Sequence, residues 1–456
     1  MDELIQLSHF VADTQFDDLP DDVVERAKWV LRDTVGVIIA GMSEPEVHAL
    51  AGYAAAKSPG SASLFGHAGR VKPEWAALVH GTAGTSLEMD EGHAFARGHA
   101  SVHAVSPALA LAETRGASGK ELLTAIILGY EVAARAGVAT RLRKGVHPFG
   151  VWGVLGAASI GARFNGLNGE DIAKTLEVAA SYAITPSFET AYQGANVRNT
   201  YAGMVNYLGL LAAEFYGLGF RGERGGLQTA FGHILGDEFD PNMLVDGLGE
   251  RYEIMRGYFK PHSACRYAHA AVDAVLELTS HKKIKPDEIR SVEVATYDIA
   301  ATLKETHPTT PLAGRFSIPH TVAATLVLGN ANPEAFTLDA LNNPDIQALA
   351  SKVILTENPD FTAMAPAKRP ASVTIIFNSG EEKQHTVYSS KGDPDQPMSP
   401  DELETKFQQL TSSTLGNNLA NQAWQFLGNI EQLSDLSDLG KTLSPQLNDP
   451  VQGGTM

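Results

Sequence analysis

Apolar positions recur at helical spacing through most of the first ~255 residues. Pro20-Asp21-Asp22 is a helix-start signal, and Val24, Ala27, Leu31, Val35 and Ile38 follow at intervals near 3.6, with Gly36 marking close packing and Gly41 the stop. Ser106 and Pro107 read as a second start, with proline at the first helical position, where its missing N–H is not needed. Ser118 and Glu121 have capping-box spacing and open a third helix through Ile126, Ile127 and Tyr130 to about Ala136. After Pro148, GVWGVLGAASIGARF carries Gly150, Gly153, Gly156 and Gly161 at helical intervals. It lacks both the GxGxxG spacing and a preceding strand, so it reads as a buried helix with close neighbours and not as a nucleotide loop. Tyr201 to Leu218 repeats the theme with Gly203, Gly209, Ala212 and Ala213.

The pattern changes near Lys260. SVEVATY (291–297), SKVILTE (351–357), SVTIIFN (372–378) and QHTVYSS (384–390) are rich in β-branched residues, and Asn378-Ser379-Gly380 supplies a turn between the last two. Helical patterns at 268–279 and 320–328 lie among these strands. Pro397 and Pro400 then break the chain, Ser399 is the expected N-cap, and a helix runs through Phe407. The prediction is a mainly α protein with an α+β part. A large all-helical domain draws on both chain ends, residues 1–258 and 398–456, and a smaller α+β domain occupies 259–397. Beyond about Ser444 the chain is polar, rich in Pro and Gly, and expected to be loose.

Composition narrows the function classes. With 456 residues, 44% of them hydrophobic, the chain can bury a large core of two or three domains. A net charge of −18 argues against a nucleic-acid or anionic-membrane surface, while leaving room for a small acidic substrate in a locally basic pocket. The single cysteine, Cys265, excludes an intramolecular disulfide and cannot supply the thiolates of an iron–sulfur cluster or a structural zinc site. MDELIQLSHF is acidic and lacks the basic and apolar regions of a signal peptide, and no stretch approaches about 18 consecutive apolar residues. A soluble, cytoplasmic protein is expected.

Glu88 to His103, EMDEGHAFARGHASVH, concentrates three carboxylates, three histidines and one arginine in a chain only 19% charged. Ionisable groups between apolar helices are rarely buried unless paired or used. A metal is one use: His99 and His103 are four apart, and Glu88, Asp90 or Glu91 would complete a site. A helix starting at Ser106-Pro107 leaves both histidines outside it, so no metal is expected.

LPDDVVERAKWVLRDTVGV, GHASVHAVSPALALAE, VHPFGVWGVLGAA, YFKPHSACRYAHAAVDA, PLAGRFSIPH and GDPDQPMSPDELETKF resemble, in order, successive signatures of the MmgE/PrpD family. The resemblance implies a helical domain with an α+β lid, usually in a homodimer, and a cofactor-independent lyase. Its substrate would be a small di- or tricarboxylate, of the 2-methylcitrate or cis-aconitate kind, dehydrated or decarboxylated. Epimerisation of an imino dicarboxylate such as iminodisuccinate is the alternative; a non-catalytic carboxylate-binding or scaffold protein is a second. The shared task is moving a proton on a carbon beside a carboxylate. That needs a base poised near neutrality, and cations for the carboxylates and the enolate-like charge.

The resemblance assigns candidates residue by residue. His99 matches the histidine of a GHPS-like motif and His147 that of an HP motif, and these share base and acid duties. Lys260 matches a motif lysine at the junction into the lid, suited to a substrate carboxylate. Glu88 and Asp90 stand where the decarboxylases have carboxylates of a DFDD motif and would orient His99. Arg97, Arg266 and Arg315 are further carboxylate-binding candidates, Arg315 because it precedes an apparent helix at 316–328. Arg198 and Tyr201 stand where many members have lysine and histidine; arginine keeps the charge but does not transfer protons. Cys265 stands where the decarboxylase has a histidine, and is either a proton-transfer thiol or a small buried residue. Gly92 replaces a threonine, and Ala300 lies nearest the position of a lid tyrosine.

Overall fold

The computed structural model describes residues 2–280 and 284–444. Expectations for the chain after Ser444 fall outside them. The helix Asp21–Gly41 begins after Pro20 with two aspartates in its first turn, and Ala27, Leu31, Val35 and Ile38 are fully buried. Gly119–Ala139 opens on the expected capping box: Glu121 N–H donates to Ser118 Oγ, and Ser118 N–H donates to the Glu121 carboxylate at 2.7 Å. The small residues serve helix crossing. A Cβ on Gly203, in Thr200–Gly217, would lie 2.1 Å from Leu78 O in Pro73–Ser86. A Cβ on Gly156, in Gly153–Phe164, would lie 2.9 Å from Gly129 O. The glycine-rich segment is therefore a packing helix, although Gly150 belongs to the loop before it, at φ 88°.

Three expectations need correction. The helix predicted from Pro107 begins instead at Ala100, with His99 at its N-cap and Pro107 inside. An interior proline forfeits one helical hydrogen bond and crowds the preceding turn. The helix persists because every residue from Ala100 to Glu113 is buried, so packing outweighs local propensity. The helical half is also not all-helical. Among the described residues it carries short antiparallel ladders, Pro59–Ser63 with Arg70–Val71, Gly92–His93 with Gly257–Tyr258, and Thr140–Leu142 with Gly236–Phe239. Strands this short leave no period to read. Finally, Gly119–Ala139 is long and apolar enough by itself to cross a membrane, but 94% of its apolar window is buried inside the protein. Within it Arg135 pairs with Glu131 at 2.9 Å and donates to the carbonyls of Asp246 and Arg251.

The α+β part is a four-stranded sheet in the order Glu382–Val387, Ala371–Phe377, Ile289–Thr296, Val353–Glu357. The last pairing is parallel and the other two antiparallel. Gly380, at φ 89°, makes the hairpin turn after Phe377. The helices His269–Thr279 and Ile318–Leu328 supply its apolar cover. One hydrophobic core draws on residues between Leu4 and Phe259 and between Leu403 and Leu443; a second holds most of the buried apolar residues from Ala264 to Phe377. The helix Pro400–Leu415, capped by Ser399, returns to Asp21–Gly41: Phe407 packs at Gly36, and buried Lys406 lies 2.6 Å from Asp33 and donates to Met89 O. That lysine braces the stretch where the ionisable residues are concentrated.

Candidate active site

The ladder Gly92–His93 with Gly257–Tyr258 assembles the site. Its antiparallel register pairs Gly92 with Tyr258, so continuing two residues outward sets Asp90 opposite Lys260. Lys260 Nζ lies 3.3 Å from Asp90 Oδ1 and 3.2 Å from Glu88 Oε2, and donates to Glu88 O at 3.1 Å. Glu88 ends the helix Pro73–Ser86 in the left-handed region, at φ 55°. Helices commonly stop on such a residue, usually glycine; a glutamate there costs about 1 kcal/mol, a strain typical of functional sites. Arg198, from the short turn Asn196–Asn199, pairs through Nη2 with Glu88 Oε1, donates through Nη1 to Thr85 O, and turns Nε toward His147 Nε2 at 3.3 Å. All four charged side chains are at most 1% exposed.

The two histidines are held differently. His99 Nδ1 lies 2.9 Å from Asp90 Oδ2 and 3.0 Å from Glu91 O. Both are acceptors, so the network assigns the proton to Nδ1 and leaves Nε2 as the nitrogen free for chemistry. His147 lies between two donors, Phe149 N–H 3.1 Å from Nδ1 and Arg198 Nε 3.3 Å from Nε2, and in its neutral form it accepts from one of them. Burial, then the Arg198 charge, pushes its pKa well below the usual histidine value, so this imidazole is neutral. The Phe149 ring lies between them, its centroid 4.7 Å from His99 and 5.1 Å from His147.

Electrostatics follow from burial set against pairing. Burial alone would raise the Asp90 and Glu88 carboxyls. His99, Lys260 and Arg198 instead hold Asp90 below the ordinary carboxylate range, and Arg198 and Lys260 do the same for Glu88. Burial disfavours the Lys260 ammonium, yet Asp90 and Glu88 together raise its pKa. Glu91 differs: it is fully buried, with Tyr130 O–H donating to Oε1 at 2.7 Å, and burial raises its pKa to about 7. The folded chain therefore holds this proton more tightly than the unfolded chain. Its stabilising contribution is complete below about pH 4.5 and is lost as the pH rises through about 7. Glu91→Gln is expected to flatten that part of the stability–pH curve in a series of urea unfolding midpoints; an unchanged slope would count against it.

Glu88, Asp90, His99, His147, Arg198 and Lys260 thus meet in one cluster. Cys265 lies at its edge, donating its N–H to Arg315 O, and burial followed by Glu88 pushes its thiol up to about 12, so the thiol stays protonated. Arg315 is buried, donates from Nη1 to Ser86 O at 3.0 Å, and leaves Nε without a partner. It ends the short helix Pro311–Arg315; the next helix begins at Ile318 with Ser317 as its cap. Half-buried Tyr201 bonds Thr190 and turns its ring edge to His147, centroids 6.2 Å apart.

Two predicted residues belong elsewhere. Arg266 pairs with Asp393 at 2.5 Å and donates to Ser390 O and Lys391 O, so its charge ties the α+β part together and is not spare for a substrate. Arg97 is exposed, at φ 56°, and lines a separate cleft. His103 turns into the core, 2.8 Å from Asn206 Oδ1, and among the described residues no group of three His, Cys, Asp or Glu side chains is placed to hold an ion. Sequence reasoning missed Phe149, although it stands two residues after His147, and Lys406, whose only signal was a lysine in an otherwise ordinary helix.

Residues 5–234 match the MmgE/PrpD N-terminal domain, and residues 262–432 match the MmgE/PrpD C-terminal domain. Similar proteins include a cis-aconitate decarboxylase-like protein of Aspergillus oryzae, 25% identical, with 97% of each chain aligned. Cis-aconitate decarboxylase of Aspergillus terreus is 24% identical over 98% of this chain and 96% of its own, and that of Homo sapiens 26% over 92% and 90%.

Proposed function

This chain belongs to the MmgE/PrpD family, and we propose that it is a cofactor-independent lyase that decarboxylates or dehydrates a small di- or tricarboxylate of the cis-aconitate or 2-methylcitrate kind. The observation that carries this reading is the Asp90–His99 pair, which leaves Nε2 as the free ring nitrogen in a cluster where Arg315 keeps an unused donor. Lys260 has three N–H bonds, and Glu88 and Asp90 occupy all of them. It neutralises those carboxylates and is not the clamp the sequence suggested. Arg198 and Arg315 each have five N–H bonds and use only some within the protein, so the substrate carboxylates fall to them. Within the cluster Lys260 and Arg198 balance Glu88 and Asp90, and Arg315 brings a further positive charge, the sign an anionic substrate needs.

In the proposed step His99 Nε2 either takes the proton from the carbon next to a carboxylate, with hydroxide leaving the adjacent carbon and departing as water on accepting that proton, or, after the C–CO2 bond breaks and CO2 leaves its electron pair on carbon, the His99 imidazolium delivers a proton there. Asp90 keeps Nδ1 protonated and stabilises the imidazolium. Arg198 and Arg315 oppose the enolate-like charge. One observation favours epimerisation as a second reading: the Cys265 thiol, held protonated at the edge of the cluster, is the second proton carrier that inversion requires. The two are separated by incubating the protein in D2O with cis-aconitate, 2-methylcitrate and an iminodisuccinate-like amino diacid, followed by proton NMR. Loss of CO2 or water is expected. Deuterium uptake with inversion would replace the lyase by an epimerase, and unchanged spectra despite measurable binding would leave a carboxylate-binding protein.

A further inference from the structure

A second group of cations lies just outside the cluster. A cleft of about 210 Å3 is lined by Arg97, Arg369, Tyr267, Tyr297 and, at its rim, the exposed Asp298. Arg369 is only 8% exposed, yet among the described residues no carboxylate pairs with it. Nη2 donates to Ala94 O at 3.2 Å, the guanidinium hydrogen-bonds the Tyr258 hydroxyl, and it lies near aromatic rings, 5.5 Å from the Tyr258 centroid and 5.7 Å from that of Tyr267. A buried charge without a counter-ion is costly, and aromatic faces offset only part of that. The Tyr297 hydroxyl is likewise buried and has no hydrogen-bond partner among the described residues. Arg97 takes the left-handed conformation in the tight loop closed by His93 and Gly98, and among the described residues its side chain makes no ion pair. Strain, an unpaired buried cation and an orphaned hydroxyl converge on one cavity. Tyr258 stands between it and the reaction centre, its ring centroid 6.4 Å from that of His99.

We propose that Arg97 and Arg369, with the Tyr297 hydroxyl, form an oxyanion-binding site beside the His99 centre, joining the loop before His99 to the α+β part. A planar guanidinium and a phenol fit a carboxylate or phosphate group. The oxyanion comes either from a free small anion or from the distal carboxylate of the substrate; the second source rests on the reaction class proposed above.

Calorimetric titration of the full chain with inorganic phosphate, and separately with citrate, tests this without requiring turnover. Arg97→Ala is expected to weaken phosphate binding about tenfold and Tyr297→Phe about threefold, while Asp298→Asn tightens it. His99→Ala should bind phosphate as the parent does, which keeps the result independent of the reaction class. Citrate affinity that falls in both Arg97→Ala and Arg315→Met assigns the site to the distal carboxylate of one spanning molecule. Citrate that depends on Arg315 alone, with phosphate depending on Arg97, assigns it to a free anion. Absence of phosphate and citrate binding, or binding that survives Arg97→Ala and Tyr297→Phe but disappears in Arg315→Met, overturns the site.

Discussion

Turnover of the His99→Ala chain is expected to fall by ~10²–10⁴-fold, the usual contribution of a positioned general acid–base, while its melting temperature changes little. His99 is the only one of the two site histidines whose Nδ1 is held by acceptors, which leaves Nε2 available to a substrate; its side chain is 12% exposed, and Asp90 is fully buried behind it. Asp90→Asn should bring a loss of similar order. An amide can offer N–H to Nδ1, which forces the ring proton onto Nε2 and removes the base. The same substitution deletes a countercharge of Lys260, so the comparison requires kcat and melting temperature together. A large fall in kcat with a small change in melting marks the proton-transfer role; equal kcat in parent, His99→Ala and Asp90→Asn would remove His99 from the mechanism.

Lys260→Met is expected to lower stability by about 3–5 kcal/mol, the cost of leaving buried carboxylates short of a partner. Glu88 would keep only Arg198 and Asp90 only His99. Adding Glu88→Gln removes one orphaned charge, so the double variant should recover part of the loss, and a double-mutant cycle of urea unfolding midpoints reads that coupling. Acid pH reaches the same network. Glu88 and Asp90 are held below their ordinary values of 4.5 and 3.8, so the stability they contribute is present above those values and is lost as the pH falls through the lower native ones. Lys260→Met should therefore weaken this acid dependence. Additive effects in the cycle would show that Lys260 does not serve Glu88.

Much of the fold was legible because the signals are local. Capping at Ser118 and Ser399, the small residues of the crossing helices and the β-branched runs of the sheet act between neighbours a few positions apart, or repeat with a fixed period. Pro107 shows the limit: its propensity points to a helix start, and only the burial of the whole segment overrides it. The two-residue ladder at Gly92 and Tyr258 had no signal at all, yet its register sets Asp90 against Lys260.

By itself, the sequence determined the helical and α+β halves, the family through six ordered motifs, and the residue types of the site: histidines, carboxylates and cations. Only the tertiary structure decided which of those charges are spent on one another. Lys260 is saturated by Glu88 and Asp90, up to 172 positions away in the chain; Arg266 is taken by Asp393; Arg315 is left with an unused donor; and Arg369, which no motif singled out, lies beside Arg97 without a counter-ion among the described residues. The reason is physical. Helix and strand signals are carried by short-range spacing, whereas pairing of buried charges depends on distances of a few ångströms between segments brought together only by packing.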